Sequence, residues 1–196
     1  MLLERIREYS IILASGSPRR QELLGSAGFT FQLVADLEVE ETYPDALSGK
    51  QIPGYLAVKK SEAYPWVLGA RDILITADTV VCQGTRILEK PVDGEDARTT
   101  LRMISGKSHH VYTGVCLRSA AKRTVFVAAT EVRFGSLSEE EINYYIQHYQ
   151  PFDKAGAYGI QEWIGYIGVE EIRGSYFNVM GLPVHKLYRE LEAFLT

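Results

Sequence analysis

Ile11-Ile12-Leu13-Ala14-Ser15-Gly16-Ser17-Pro18-Arg19-Arg20 is the stretch on which the fold turns. Four apolar residues lead into Ser-Gly-Ser-Pro, and Arg19 to Leu24 then carry a helix-compatible pattern that closes at Gly25 or Gly28. The order is strand, tight turn, helix. Pro18 suits the first helical position, because its φ is already helical and its missing N–H is one that a first turn leaves unpaired; Ser17 is the expected cap. The free N–H groups of that helix start point back toward the turn.

Working outward, Phe29 to Val34 reads as a second strand, followed by the acidic stretch Asp36 to Glu41. Pro53 opens a helix to about Tyr64, ended by Pro65, with Leu56, Lys60 and Ala63 close to one face. Ile73 to Cys82 is the clearest strand, since β-branched residues dominate a run bounded by Arg71-Asp72 and Gly84. Its near-continuous apolarity predicts burial on both faces. Asp93-Gly94-Glu95-Asp96 starts a capped helix ending near Gly106, and His110–Ser119 with Arg123–Phe134 forms an antiparallel pair. Ser138-Glu139-Glu140-Glu141 is a capping box for a helix that Pro151 terminates. A Gly- and Tyr-rich segment, Asp153 to Gly181, precedes a last amphipathic helix from about Pro183 with Leu187, Leu191 and Leu195 spaced by four.

Alternating strands and helices followed by a hairpin predict the α/β class: a mixed twisted sheet flanked by helices, with two lobes around a central cleft. The 196 residues suit one folding unit, residues 1–196, with 46% apolar and 23% charged residues, an ordinary globular balance. A net charge of −4 argues against a broad basic nucleic-acid surface, so no nucleic acid is expected as partner. No run of eighteen apolar residues and no signal-like N-terminus occurs, so no membrane is expected and the predicted location is cytoplasmic. Cys82 and Cys116 lie in β-like runs and read as reduced strand residues.

Common motifs fail. Gly106-Lys107-Ser108 resembles the end of a P-loop, but Leu101 stands where its first glycine belongs, and no G-x-G-x-x-G, H-E-x-x-H or G-x-S-x-G occurs. What remains is anion recognition by Ser15, Ser17, Arg19 and Arg20, where hydroxyls, helix N–H groups and two guanidinium groups suit phosphate oxygens, although a capped surface helix that begins with arginines fits equally. Asp78 is the second anomaly, because a carboxylate inside an apolar strand is costly unless paired, hydrogen-bonded or metal-bound. It is a candidate base or cation ligand, or else a strand residue satisfied by neighbouring backbone. Glu40-Glu41 offers further oxygens to a divalent cation or forms a solvated acidic loop; Lys60 and Lys90 meet phosphate charge only if they converge with the other groups.

Six blocks, in order, make the chain resemble the Maf proteins, nucleoside triphosphate pyrophosphatases once described as septum-formation inhibitors. They are Leu13–Leu24, Ala77–Val81, Leu88–Pro91, Ser105–Lys107 with His109, Asp153–Gln161 and Gly174–Pro183. The resemblance implies cleavage between the α- and β-phosphates of a nucleoside triphosphate, with a divalent cation, magnesium or manganese, as cofactor, and it suggests a homodimer. Asp78 falls at the family's proton acceptor. Arg19, Thr79 and Gln161 match positions tied to substrate choice in the branch acting on dTTP and UTP. Ser15, Arg20, Lys60 and Lys90 are implied substrate-binding groups, and Glu41 with Asp78 the implied metal ligands. Glu162-Trp163-Ile164 departs from the pattern, since many relatives have a glycine directly after the glutamine. A non-catalytic nucleotide-binding regulator of septation is the alternative, and an enzyme of modified pyrimidine nucleotides is a third reading.

Overall fold

A computed structural model describes residues 1–196 except Asp36 and Glu38, so those two members of the acidic stretch lie outside the described residues. Strand β1 (Ser10–Ala14) is followed by helix α2 (Pro18–Ser26), preceded in the chain by a short α1 (Leu2–Arg5). Then come β2 (Gln32–Val34), α3 (Ile52–Glu62), β3 (Asp72–Gln83), β4 (Arg86–Leu88), α4 (Gly94–Ile104), β5 (Ser108–Arg118), β6 (Arg123–Phe134) and α5 (Glu139–Tyr149). The Gly- and Tyr-rich segment holds α6 (Trp163–Gly168), β7 (Val169–Arg173) and α7 (Tyr176–Met180), and α8 (Val184–Phe194) closes the chain.

The class is α/β, with an open mixed sheet of seven strands among the described residues. Its order is β2-β1-β3-β5-β6-β7, and β4 pairs with β3 off that path. The first three strands of the order are parallel and the rest antiparallel. Pleating divides the core between two faces. Ile11, Leu13, Ile73 and Ile75 meet α2 and α8, whereas Ile12, Ala14 and Leu74 turn the other way, as do Val80 and Cys82, which bury Ile52 and Leu56 of α3. Helices α2 and α3 therefore cover opposite faces. Farther along the first face, Val81, Val111 and Val132 bury α4 and α5.

Because β2 and β3 flank β1 and their helices lie on opposite faces, the chain changes winding direction at β1 and β3. A crevice opens beyond the strand ends at such a point. The register sharpens this. Strand β5 pairs with β3 from Leu74 to Cys82 along one edge, while the other edge is taken by β1 only up to Ile75 and by β4 only from Val81. Residues Thr76 to Val80 are left with an edge that no described strand covers.

The local signals for helix starts coincide with the observed caps, with some differences. Asp93 caps α4 by accepting from Asp96 N–H, and Ser138 and Glu141 close the capping box of α5. Ser17 stands at the N-cap of α2, yet its side chain makes no cap bond; Ser15 Oγ instead accepts from Ser17 N–H at 3.3 Å. The second strand is shorter than Phe29–Val34 because Phe29 turns into the core after Gly28, at φ 85°. Ala63 is exposed, since α3 ends at Glu62 and buries Ile52, Leu56, Ala57 and Ser61 instead. Both cysteines are free and buried. Among the described residues no helix is long and apolar enough to cross a membrane.

Candidate active site

Asp78 and Thr79 are consecutive in β3 and so point to opposite faces, but both reach the cleft because the strand edge between β1 and β4 is open. On the Asp78 side lies α3. It approaches the sheet closely because Gly114, the cross-strand partner of Asp78, has no side chain: a Cβ there would stand 2.3 Å from the backbone of Pro53 and Gly54. Thr76 Oγ1 donates to Ala57 carbonyl at 2.6 Å and fixes the helix over the strand. One turn on, Lys60 Nζ reaches Asp78 Oδ1 at 2.5 Å and Glu41 Oε1 at 2.6 Å.

These two carboxylates have unlike character. Burial pushes the Asp78 carboxyl above the usual aspartate range, against the pull of the Lys60 and Arg20 charges. Burial acts in the same sense on Glu41, which is half exposed, but the hydrogen bond and charge of Lys60, aided by Lys90 and Arg20, prevail and hold it low. Lys90 stands 3.9 Å from Glu41 Oε2, with a largely exposed side chain.

On the Thr79 side lies the turn after β1. Arg20 donates from Nε to Gly181 carbonyl at 2.8 Å, from NH2 to Thr79 Oγ1 at 3.1 Å and from NH1 to Ser15 Oγ at 3.4 Å. Gly181, at φ 115°, occupies a left-handed position that ends α7 and turns its carbonyl to the arginine. Thr113 gives its one hydroxyl proton to Asn178 carbonyl, so Thr79 is the donor in the 2.9 Å contact between the two threonines. Burial lowers the Arg20 pKa, with Asp78 opposing that shift, and the guanidinium remains a cation.

The far wall comes from the segment after α5. Gln150, at φ 45°, and Pro151 stop that helix, and Asp153 Oδ2 accepts from Arg19 NH1 at 2.9 Å while its Oδ1 accepts from Lys154 Nζ at 2.7 Å. Burial works to raise the Asp153 carboxyl, but Lys154 and Arg19 hold it below the aspartate range. Lys154 is buried and has a second anion in Glu162, 3.1 Å from Nζ. Glu162, the departure from the family pattern, is folded inward onto the Tyr145 hydroxyl. Gln161 lines the cleft with a buried Oε1 that accepts no hydrogen bond. A buried acceptor without a donor carries a desolvation cost of about 1–3 kcal/mol, which a ligand donor would remove.

All nine side chains singled out from sequence, Ser15, Arg19, Arg20, Glu41, Lys60, Asp78, Thr79, Lys90 and Gln161, line this one cleft of about 490 Å³. Asp78, Thr79, Glu41 and Lys90 also border an adjoining chamber of about 300 Å³ walled by Tyr43, Leu56 and Ile87. Sequence reasoning assigned no role to Asp153, Lys154, Glu162 or Tyr145. The only signal was an Asp-Lys pair opening a Gly-rich segment, and nothing local shows that such a lysine is buried.

For a cation the donor set is two carboxylate oxygens that converge on one positive charge, that of Lys60. Magnesium held against a polyphosphate takes one or two protein carboxylates and draws its other oxygens from phosphate and water, so Asp78 and Glu41 fit that role. Among the described residues there is no group of three or more His, Cys, Asp or Glu side chains suited to an all-protein metal site.

Comparison with known proteins agrees over nearly the whole chain. Residues 10–194 match the family model described as Maf-like protein. A dTTP/UTP pyrophosphatase of Bacteroides fragilis is 52% identical over 191 residues, 97% of this chain and 99% of the relative. The dTTP/UTP pyrophosphatase of Parabacteroides distasonis is 47% identical over 193 residues, 98% of this chain and 100% of the relative. That of Flavobacterium johnsoniae is 44% identical over 191 residues, 97% of this chain and 98% of the relative.

Proposed function

We propose, from the premise that the chain belongs to the Maf family, that it hydrolyses dTTP and UTP to the nucleoside monophosphate and pyrophosphate. The observation that carries this reading is the convergence of a buried, proton-seeking Asp78 with Arg20, Lys60 and the unpartnered Gln161 in one cleft. The chain acts as one domain, residues 1–196, whose two lobes we take to be the core clusters on either side of the cleft: one around β1, α2 and α8, the other around α4 and α5.

Two carboxylates whose environments push their affinities apart divide the labour of acid–base and charge. Asp78, raised by burial, is the group that takes the proton of the attacking water; Glu41, held low, stays an anion throughout. Glu41, with Asp78, would hold a divalent cation, which would supply charge neutralisation at the phosphates. Arg20 is already fixed by Gly181 and Thr79, so its remaining N–H groups and the α2 N-terminus meet phosphate oxygens without reorganisation. Lys60 leaves its carboxylate pair to share the same charge.

Gln161 accounts for the pyrimidine. Uracil and thymine present an N–H between two carbonyls, so Oε1 accepts from the ring N–H while Nε2 donates to a carbonyl. Cytosine has an acceptor at that ring position and is refused. Arg19 and Thr79 border the same space.

Pyrophosphate release by the purified protein, measured with dTTP, UTP, CTP, ATP and 7-methyl-GTP in the presence and absence of magnesium or manganese, tests this. Turnover is expected for dTTP and UTP with metal. Tight dTTP binding with no pyrophosphate release would identify a nucleotide-binding regulator instead.

A further inference from the structure

From the cleft's far wall a run of alternating charges leads inward to Glu162 and Tyr145, two groups that do not line the cleft and to which the proposed reaction gives no part. Its order is Arg19, Asp153, Lys154, Glu162 and then the Tyr145 hydroxyl. The two ends differ. Asp153 is 59% exposed, whereas Lys154 is 9% exposed at its side chain and Tyr145 is fully buried. A buried ammonium left with one solvent-facing carboxylate would be poorly compensated, and Glu162 is the inward-facing anion that balances it.

Glu162 also governs the loop that carries Gln161. Its Oε2 accepts the Tyr145 proton, and the same Tyr145 oxygen accepts from Gly159 N–H at 3.0 Å. Glu162 N–H returns to Gly159 carbonyl at 3.0 Å, and Gly165 N–H to Glu162 carbonyl at 2.8 Å. The carboxyl lies flat against Gly159, where a Cβ would stand 2.8 Å from its carbon. Gln161 therefore sits in a closed ring of contacts, Gly159 to Glu162 to Tyr145 and back, while Lys154 ties that ring to Asp153 and so to Arg19.

We infer that Glu162 is a positioning residue for nucleotide selection: by holding Lys154 and the Tyr145 hydroxyl it aims Gln161 and fixes how much of Asp153 is left to Arg19. The inference rests on the proposed reading of Gln161 as the pyrimidine-facing group. With Glu162 in place, Lys154 shares its charge between two carboxylates and Asp153 keeps one oxygen for Arg19. Without it, Lys154 draws on Asp153 and on any polyphosphate in the cleft, Arg19 loses its tether, and the loop loses the acceptor that set its curvature. Displacement of a specificity group by a fraction of an ångström is felt in rate far more than in stability.

The test compares kcat/KM for dTTP, UTP, CTP and dGTP in the wild type, Glu162→Ala, Glu162→Gln and Tyr145→Phe, with Tm measured alongside. In Glu162→Ala, kcat/KM for dTTP should fall roughly tenfold or more, while the poor substrates change much less, narrowing selectivity. Glu162→Gln, which keeps the acceptor and loses the charge, should recover part of that selectivity. Tyr145→Phe should narrow it as Glu162→Ala does, and the double variant should lose little beyond either single one, because both act through one ring of contacts. If Glu162→Ala does not fold, the Gln and Phe variants decide. Unchanged substrate ratios in the folded variants overturn the inference, and so does a parallel loss toward every triphosphate. A wild type that binds dTTP but releases no pyrophosphate sinks the functional reading instead, and the same ratios are then read from Kd by calorimetry.

Discussion

Arg19 and Arg20 are neighbours in sequence and opposites in setting, and the two walls of the cleft differ in the same way. Arg20 is held by a glycine carbonyl and two hydroxyls, one of which is tied through Thr113 to the backbone at Asn178. Arg19 has one carboxylate, more than half exposed, which it shares with Lys154. The wall of Asp78 and Arg20 is built from a central strand and a helix start, with the Arg20 bonds already made. The wall of Asp153 to Gln161 keeps a partner in hand, an exchangeable ion pair on Arg19 and a free acceptor on Gln161. A rigid wall suits chemistry common to every triphosphate, and a wall with unspent contacts suits choosing among bases.

The sharpest way to break that contrast is at Asp78. Asp78→Asn should reduce kcat about 10³-fold for every accepted nucleotide, the range expected of a lost general base. The fold should hold: burial raises the folded pKa, so ionised Asp78 withdraws stability as pH rises through that value, and the neutral amide avoids that loss. Retention of near-normal turnover would remove Asp78 from the chemistry.

Arg20→Lys follows, with kcat/KM down roughly 10- to 100-fold from the loss of a forked donor set and equally so for dTTP and UTP. A loss confined to one base would mean that the rigid wall also selects.

Gln161→Ala should act in the other sense. It should lower dTTP and UTP turnover about tenfold while sparing CTP, because the site then loses the unpartnered acceptor that we propose for the ring N–H.

Lys60→Met gives a smaller, directional effect on the pH profile. With Asp78 as the proposed base, the rate should rise with pH as Asp78 deprotonates, on a limb that burial places above the ordinary aspartate range. Removing the Lys60 charge takes away a force that lowers the Asp78 pKa, so the limb should move to higher pH. A shift to lower pH would show that another group controls it.

The smallest effect lies beneath the second wall. His109 is fully buried, bonded to the Tyr158 hydroxyl at 2.7 Å, and burial pushes its pKa from 6.5 down to about 4. The unfolded chain takes up that proton below pH 6.5, and the folded chain refuses it until about pH 4, so stability falls across that window as pH drops. Thermal melts of His109→Gln at pH 7 and pH 5 should show a weaker loss than the wild type.

The elements built on local signals could be read from sequence. Pro18 after Ser-Gly-Ser, Asp93 before Asp96 and the Ser138–Glu141 box declare helix starts within four residues, and the β-branched run of β3 declares a central strand. Strand β7 escaped because Val-Glu-Glu-Ile-Arg at a sheet edge buries almost nothing, and α6 and α7 because six and five residues are too few to show a helical period. Within the site, Asp78 stood out because a charge in an apolar strand is anomalous wherever the strand goes. Lys154 and Glu162 did not, because each is an ordinary residue until the fold buries them together.

The sequence by itself determined the α/β class, the turn after β1 and the anomaly of Asp78, since periodicity, caps and a misplaced carboxylate are properties of neighbours along the chain; Thr79 and Gln161 joined the candidate residues only through the family resemblance. The tertiary structure alone decided that β1 and β4 leave part of one edge of β3 open, that Lys60 bridges Asp78 and Glu41, and that the Gln161 Oε1 acceptor is left without a donor. Those depend on strand register and on which distant groups exclude water from one another, and neither is written in any window of adjacent residues.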